Sequence, residues 1–490
     1  MAPDARTSQK HASVSAQAVR EAPEKVLPVS EGGAVGRRED AFYARLMPAW
    51  RVRVRQWLVR SLEREMGGLQ RIQETYRTPW RDEYFVKTSL LGTHTFFMLF
   101  LPLWYWFGLP EVGRGLLYVL ALGAYATGAF KDAFSVPRPF SPPVTRLSVG
   151  SHALEYGFPS THSSNACSMA LFCAANLVER NTGEMSWLNP LGLAACAVFA
   201  WSVVFGRLYT GMHSRADVLT GSSIGIAIWW LHHRYAAALD GVMAGSGWKG
   251  TLGSAGALFL LLSTHPEPAE PCPCFEDTVA FLSVVQGAMI GLSWAPRVRP
   301  TSTVGWGWGS PEEVAVWSAG VGGKLVGGIS AILVWRIVAK HICHAILPPI
   351  FRLFARAHLV LPRRGYQVAT EYDVYPEEPK LDPVPSILDL PALVEDAAVS
   401  SAATSSSSLA PPSTSSRRAR PTVADRKPPI SPTSGSASSA PHHTHSSANG
   451  GEEHKDVDVL TKVVVYAGIG WIATIALPSL FETLGVSVWR

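Results

Sequence analysis

Apolar residues run in long, almost unbroken stretches between about residue 88 and residue 335, and once more near the C-terminus. The stretches are 88–109, 115–130, 161–178, 190–206, 218–232, 250–263, 278–294, 314–335 and 460–481. Several approach the ~20 residues with which an α-helix crosses ~30 Å of hydrocarbon, and the shortest are marginal by that measure. Trp104 and Trp106, and Trp229 and Trp230, sit at the ends of stretches, where amphipathic rings favour the membrane interface. The pattern predicts an all-α polytopic membrane bundle of about eight to nine spans.

The polar stretches divide the chain further. Residues 1–40 carry no sustained apolar period and are expected to be a disordered tail. They also lack an apolar run followed by a small-residue cut site, so no cleavable signal peptide is expected. Residues 41–87 include FYARLMPAWRVRVRQWLVRSLERE, with Arg51, Arg53, Arg55, Arg60 and Arg64 among Trp50, Trp57 and Leu58. This reads as an interfacial helix meeting anionic head groups. A nucleic-acid reading has no further support in the chain, and no nucleic-acid partner is expected. Residues 88–235 hold the charge-bearing turns discussed below, and residues 236–375 add spans and a basic amphipathic segment. Residues 376–456 are Ser/Pro-rich and too polar to bury a core, a disordered linker before the last span in 457–490. His442, His443 and His445 in that linker are assigned no function.

Composition sharpens the membrane reading. Charged residues are 17% of the chain, against the usual ~25% of soluble proteins. The formal net charge of +5 is modest, so its placement matters more than its size. Cys167, Cys173 and Cys196 lie inside spans and read as small apolar side chains. Cys272 and Cys274, in PCPCFED, are too close for an easy mutual bridge and too few for a zinc site.

Charge beside hydrocarbon is expensive and is usually kept for a task. Three clusters carry it. KDAFSVPRPFSPP holds Lys131 and Arg138, with prolines that favour an extended turn over a continued helix. These cations are either anion ligands or snorkelling head-group anchors. In HALEYGFPSTHSSNA, Ser160, Thr161 and His162 open a span, where helix amides lack partners and face an anion well; a plain Ser or Thr N-cap is the simpler alternative. In FGRLYTGMHSRADVLTG, Arg207 precedes His213 and Asp217, which share one helical face at four-residue spacing. A carboxylate on one ring nitrogen fixes the imidazole tautomer and leaves the other nitrogen free to attack.

Together the clusters suit a phosphate. Three cations and a helix N-terminus match the three equatorial oxygens that carry charge in phosphoryl transfer. Of two histidines, one can attack phosphorus and the other protonate the departing alkoxide. The sequence shows no Asp/Glu cluster suited to two metals, so side chains are expected to meet the charge, with no metal and no cofactor.

Lys131-x6-Arg138-Pro139, Pro159-Ser160-x-His162 and Arg207-x5-His213-x3-Asp217 resemble the three signature motifs of the type 2 phosphatidic acid phosphatase superfamily. The longer strings THTFFMLFLP, KDAFSVPRPFSPP, EYGFPSTHSSNA and RLYTGMHSRAD look like its sphingosine-1-phosphate phosphatase branch, in particular the fungal dihydrosphingosine (long-chain base) 1-phosphate phosphatases. The resemblance covers roughly residues 84–235. It implies a vanadium-haloperoxidase-like helical core and a multi-pass enzyme of the endoplasmic reticulum membrane with a lumenal pocket. The implied substrate is a phosphorylated sphingoid base, with membrane lipids as surroundings. The resemblance also implies that His213 forms a phosphohistidine, Asp217 orients it, and His162 is general acid and then base. Lys131, Arg138 and Arg207 would clamp the phosphate, with Ser160 and amides at Thr161 helping. Two departures stand out: Thr161 replaces the superfamily's usual Gly, and Gly206 stands where a Ser often precedes the arginine. Phosphatidic acid, lysophosphatidic acid or a polyprenyl diphosphate would suit the same pocket chemistry. A catalytically silent lipid-binding protein is the alternative of another class.

Sidedness is contested within the sequence. Two spans precede the first cluster, so the N-terminus falls on the pocket's side. Yet residues 41–87 and 336–367, the most basic parts, fall there too, and the positive-inside tendency would send them to the cytosol. Lys324, within GGKLVGG, is a further charged residue in a span, read as an interfacial snorkelling side chain or part of a small-residue seam around Gly323 and Gly327, with a substrate or lipid contact as the alternative.

Overall fold

A computed structural model describes residues 35–92, 94–147, 155–180, 188–294, 311–356, 366–367 and 454–484. The helices are α1 (Asp40–Leu46), α2 (Ala49–Tyr76), α3 (Pro79–Ser89), α4 (His94–Trp106), α5 (Pro110–Phe134), α6 (Thr161–Arg180) and α7 (Asn189–Tyr209). They continue as α8 (Arg215–Met243), α9 (Trp248–Thr264), α10 (Cys274–Trp294), α11 (Pro311–Arg356), α12 (Asp456–Trp471) and α13 (Leu477–Thr483). A single π turn, Ile472–Ala476, joins the last two, and a short parallel pair links β1 (Tyr366–Gln367) to β2 (His454–Lys455).

The apolar stretches fall on helices, the first of them, 88–109, running from the end of α3 through the 3₁₀ turn Leu90–Gly92 into α4, so the all-α expectation holds. The span count is a coarser matter. By length and composition, four helices qualify for crossing a membrane: Asn189–Tyr209, Cys274–Trp294, Ser318–Arg356 and Asp456–Thr483, with Phe96–Trp106 as a shorter apolar one. Helices α6 and α8 fall short because they open on the polar runs that converge at the site below.

Helix α5 is the axis of the bundle. Its residues from Val112 to Ala124 pack against Phe97 and Leu101 of α4, Met169 and Phe172 of α6, Ile228 of α8 and Phe281 and Leu282 of α10. Lipid tails are as apolar as these side chains, so close backbone contact has to supply much of the cohesion. Gly221 and Gly225 provide it between α6 and α8. A Cβ at Gly221 would lie 2.3 Å from the Ser160 carbonyl oxygen, and one at Gly225 2.2 Å from that of Ser164. This G-x-x-x-G ridge clamps the starts of the two helices together.

The C-terminal pair α12–α13 joins the bundle through Tyr466, Ile469 and Ala473, packed with Trp106 and Ile332. Trp106 is therefore buried, its Nε1 donating to the Ala473 carbonyl at 3.1 Å, and is not an interfacial ring; Trp230 is exposed as expected. Lys324 is buried and donates to the Trp106 carbonyl at 3.0 Å, capping the end of α4. Its ammonium is thus turned into the protein and does not snorkel.

The expected disorder in 1–40 and 376–456 lies mostly outside the described residues, as do His442, His443 and His445. Within the first region, residues 35–40 are anchored: the Gly36 amide donates to Glu270 at 2.7 Å and its carbonyl accepts from Arg55 at 2.8 Å. The boundary at 40 is thus corrected to no later than 35.

The basic segment also differs from its reading. Arg53, Arg60 and Arg64 are exposed, but Arg51 and Arg55 turn inward. Arg51 bonds the Asp132 and Ala133 carbonyls, and Arg55 the Ser135 carbonyl, so α2 caps the orphan carbonyls at the end of α5.

Cys272 and Cys274 are bridged in this structure. That corrects the expectation from their spacing: the turn into α10 brings the two Cα atoms to 5.4 Å, within a bridge's reach. Cys167, Cys173 and Cys196 are free and half-buried.

Candidate active site

The three sequence clusters meet at one end of α5. That helix stops after Phe134, one turn past Lys131, where Ser135 takes a left-handed conformation (φ 48°) and donates its amide to the Lys131 carbonyl at 2.8 Å. The chain then runs back through Val136 and Pro137, and Arg138 returns to the side of Lys131. Both cations are buried, and both bind Glu155: Lys131 Nζ contacts Oε1 and Arg138 Nη2 contacts Oε2. Arg138 Nε also donates to the Glu155 carbonyl at 3.1 Å.

Ser160 is the N-cap of α6. Its Oγ accepts from the Ser163 amide at 3.3 Å and the Ser163 hydroxyl at 3.0 Å. Its own amide donates to the Asp217 carbonyl at 3.0 Å, which ties the second cluster to the third. Thr161 pairs its hydroxyl with Thr127 of α5 at 3.0 Å. The Thr in place of the usual Gly therefore braces α6 against α5, and only its backbone faces the helix-terminal anion well. His162 is half-buried on the first turn of α6. Gly92, closing the 3₁₀ turn Leu90–Gly92, lies flat against its ring: a Cβ there would stand 2.4 Å from His162 Cδ2.

The third cluster depends on a turn only glycine makes easily. After α7, Gly211 adopts φ +65°, and a Cβ would meet Val144 at 2.5 Å. The turn folds Met212 and His213 back so that both amides donate to the Arg207 carbonyl, at 3.2 and 3.3 Å. Arg207 is buried, and its Nε has no hydrogen-bond partner among the described residues. An orphaned cationic donor inside a pocket calls for an anion.

His213 is almost fully buried and its Nδ1 lies 2.9 Å from the Gly157 carbonyl. A carbonyl only accepts, so Nδ1 carries the proton and Nε2 keeps its lone pair. Asp217 Oδ2 stands 3.6 Å from the same Nδ1, at ion-pair range but beyond a good hydrogen bond. Its carboxylate accepts from the Ser214 amide at 2.8 Å while Ser214 Oγ accepts from the Asp217 amide at 3.2 Å, a capping box on α8. The orienting hydrogen bond thus comes from a backbone carbonyl, with Asp217 stiffening the helix start while burial pushes its carboxyl up to about 7. Burial, followed by the Arg138, Lys131 and Arg207 cations, holds His213 well below its ordinary value. Glu155 pairs with Lys131 and Arg138, the Gly157 carbonyl accepts from His213 Nδ1, and the His213 amide donates to the Arg207 carbonyl, so the clusters meet around residues 155–157.

Glu155, Gly157, Gly92 and the inward Arg51 and Arg55 were not singled out by sequence reasoning. Glu155 and Gly157 sit in the second cluster's own string, but nothing in their spacing marks a carboxylate or a carbonyl aimed at another motif. The Gly221-x3-Gly225 pattern, by contrast, is a signal a reader could find. Asp132, Cys272 and Cys274 bring ligand-type atoms within 4.8 Å of one another beside His265, but the two sulfurs are joined to each other.

With this geometry in place, comparison with known proteins is informative. The PAP2 superfamily pattern matches residues 112–239. A dihydrosphingosine 1-phosphate phosphatase of Schizosaccharomyces pombe is 32% identical over 318 residues, covering 63% of this chain and 74% of that one. One from Saccharomyces cerevisiae is 34% identical over 315 residues, 62% and 73% of the two chains. The chain belongs to the PAP2 superfamily, in the branch that holds these yeast proteins. Within that PAP2 branch the human sphingosine-1-phosphate phosphatase 2 is more distant in extent, 37% identical over 28% of this chain and 33% of its own. No solved structure matches. The PAP2 match begins within α5 and ends within α8, so it contains every residue of the three clusters.

Proposed function

We propose that this PAP2 protein is a lipid phosphatase that hydrolyses sphingoid long-chain base 1-phosphates to the free base and orthophosphate. The observation that carries it is the convergence of Lys131, Arg138, Arg207 and His213 on the segment from Glu155 to Gly157, in a membrane helical bundle whose relatives are named for that reaction.

The mechanism follows from the side chains. The phosphoryl group enters among the three cations and the N-terminus of α6. His213 Nε2 attacks phosphorus and forms a P–N bond as the P–O bond to the sphingoid oxygen breaks. His162 gives its proton to that oxygen, and the free base departs. His162 then takes a proton from water, whose oxygen attacks phosphorus; the P–N bond breaks and orthophosphate leaves. Each histidine ends as it began. The cations act without reorganising, which is where most of the rate comes from.

The location we propose is the endoplasmic reticulum membrane, with eight to nine crossings and a lumenal pocket. The resemblance supports that side. The basic stretches argue the other way: α2 lies over the pocket end, and the end of α11 joins it, since Phe351 packs on Val457 and Lys462 pairs with Glu276 at the start of α10. An acceptor site for N-glycosylation introduced into the exposed face of α2 decides the matter. Glycosylation means a lumenal pocket; its absence with access to a cytosolic label means the reverse.

The activity is tested with purified protein in detergent and EDTA. Phosphate release from dihydrosphingosine 1-phosphate should exceed release from phosphatidic acid, and His213→Ala should abolish it. Inhibition by EDTA would overturn the side-chain mechanism, and the reverse ranking of lipids would overturn the substrate.

A further inference from the structure

Glu155 stands where a phosphate should be. Its two carboxylate oxygens each take one motif cation, Oε1 with Lys131 and Oε2 with Arg138. This is the two-point contact that two oxygens of a phosphoryl group would make. The cations are nearly sealed from solvent, at 3% and 5% side-chain exposure, while Glu155 keeps 21%. The acid therefore sits on the open side of the pair, on the route a ligand must take. The third cation, Arg207, is equally buried, and its Nε has no hydrogen-bond partner among the described residues.

Electrostatics explains both why an acid is there and why it can leave. Three buried cations without a counter-ion would repel one another and bind any anion tightly, product included. One carboxylate offsets part of that charge but leaves the pocket positive. An incoming phosphate dianion brings twice the charge and an additional oxygen for Arg207, so it displaces a monoanion that satisfies only two sites. Glu155 is also two residues from Gly157, whose carbonyl holds His213, so the exchange takes place beside the nucleophile.

We propose that Glu155 is the exchangeable counter-ion of the phosphate pocket. It pairs Lys131 and Arg138 when the site is empty, yields them to the phosphoryl group, and takes them back as orthophosphate leaves. No covalent bond changes; one set of ion pairs replaces another. Glu155 is a residue for product release and phosphate affinity, and this role rests on the phosphatase reading above.

The test uses full-length protein and inorganic phosphate as the probe. In Glu155→Gln the competition is removed, so the inhibition constant of orthophosphate should fall about tenfold, the scale of one charge-assisted contact that no longer has to be exchanged. The KM for dihydrosphingosine 1-phosphate should fall with it, and kcat should fall because product leaves slowly. Glu155→Asp gives the same reading if the amide does not fold: its shorter carboxylate cannot span both cations, and orthophosphate should again bind more tightly than to wild type. An unchanged or raised inhibition constant in the folded variant makes Glu155 a fixed brace for the cations and overturns the proposal while leaving the phosphatase intact. Wild-type protein that releases no phosphate from any sphingoid phosphate overturns the phosphatase reading itself, and this role falls with it.

Discussion

His213 gives its Nδ1 proton to the carbonyl of Gly157 across 2.9 Å, which leaves the opposite nitrogen facing the cationic pocket. A backbone carbonyl therefore sets the tautomer of the proposed nucleophile, and Asp217, 3.6 Å from the same nitrogen, supports it from the capping box of α8. Asp217→Asn keeps an oxygen for the Ser214 amide and should lower kcat by about tenfold, the effect of one weakened electrostatic partner. His213→Ala should leave no measurable turnover. Equal losses in the two variants would show that Asp217 holds the direct orienting bond after all.

His213 should also be hard to protonate. Burial and three neighbouring cations depress its pKa, so the neutral ring persists as pH falls through its ordinary value of 6.5. The nucleophilic form is then lost only at lower pH. Titration of ¹⁵N-labelled histidines in detergent should show one ring still neutral at pH 6.5 and absent from the spectrum of His213→Ala. Orthophosphate should move its midpoint upward, because the bound anion offsets the cations. A midpoint at or above 6.5 without ligand contradicts the pocket described here.

His162 is separable from His213 by the leaving group. A general acid matters most when the departing oxygen is a poor leaving group, as a sphingoid alkoxide is. His162→Ala should cost on the order of 10²–10⁴-fold on dihydrosphingosine 1-phosphate and far less on p-nitrophenyl phosphate. Gly92→Ala presses a Cβ to 2.4 Å from the His162 ring, so it should imitate His162→Ala in direction on the lipid. A loss equal for both substrates would assign His162 to phosphate binding instead.

The clamp between α6 and α8 makes a structural prediction. Gly221→Ala would push a methyl to 2.3 Å from the Ser160 carbonyl, against backbone that cannot swing away. Overpacking of this kind costs about 1–3 kcal/mol, so the melting temperature in detergent should drop and activity should fall with it. Gly241→Ala, with open space around its Cβ position on the same helix, should change neither.

Arg51 links the basic segment to catalysis without touching substrate. It bonds the Asp132 and Ala133 carbonyls at the end of α5, one and two residues after Lys131. Arg51→Ala should lower the melting temperature and raise KM several-fold, whereas Arg53→Ala, exposed on the same helix, should do neither.

Much of this molecule could be read from the order of its residues. Long apolar runs fix helices because lipid leaves the backbone no other partner, and the described parts of these runs are mostly helical. The motif spacings also pointed to side chains that the fold brings together: Lys131, Arg138, Ser160, Arg207, His213 and Asp217 converge around residues 155–157, with His162 on the adjoining turn of α6. Spacing along a chain, however, carries no direction. It could not say that Arg51 and Arg55 turn inward to helix carbonyls while Arg53 faces out, because all three lie on one basic helix. It could not foresee that Thr161 braces α6 against α5, nor that Lys324 caps α4, since both partners are remote in sequence. Above all, Gly157 acts through its carbonyl and Glu155 through its position between two cations. A backbone atom has no residue type, and an ion pair has no period, so only the folded chain could assign either of them.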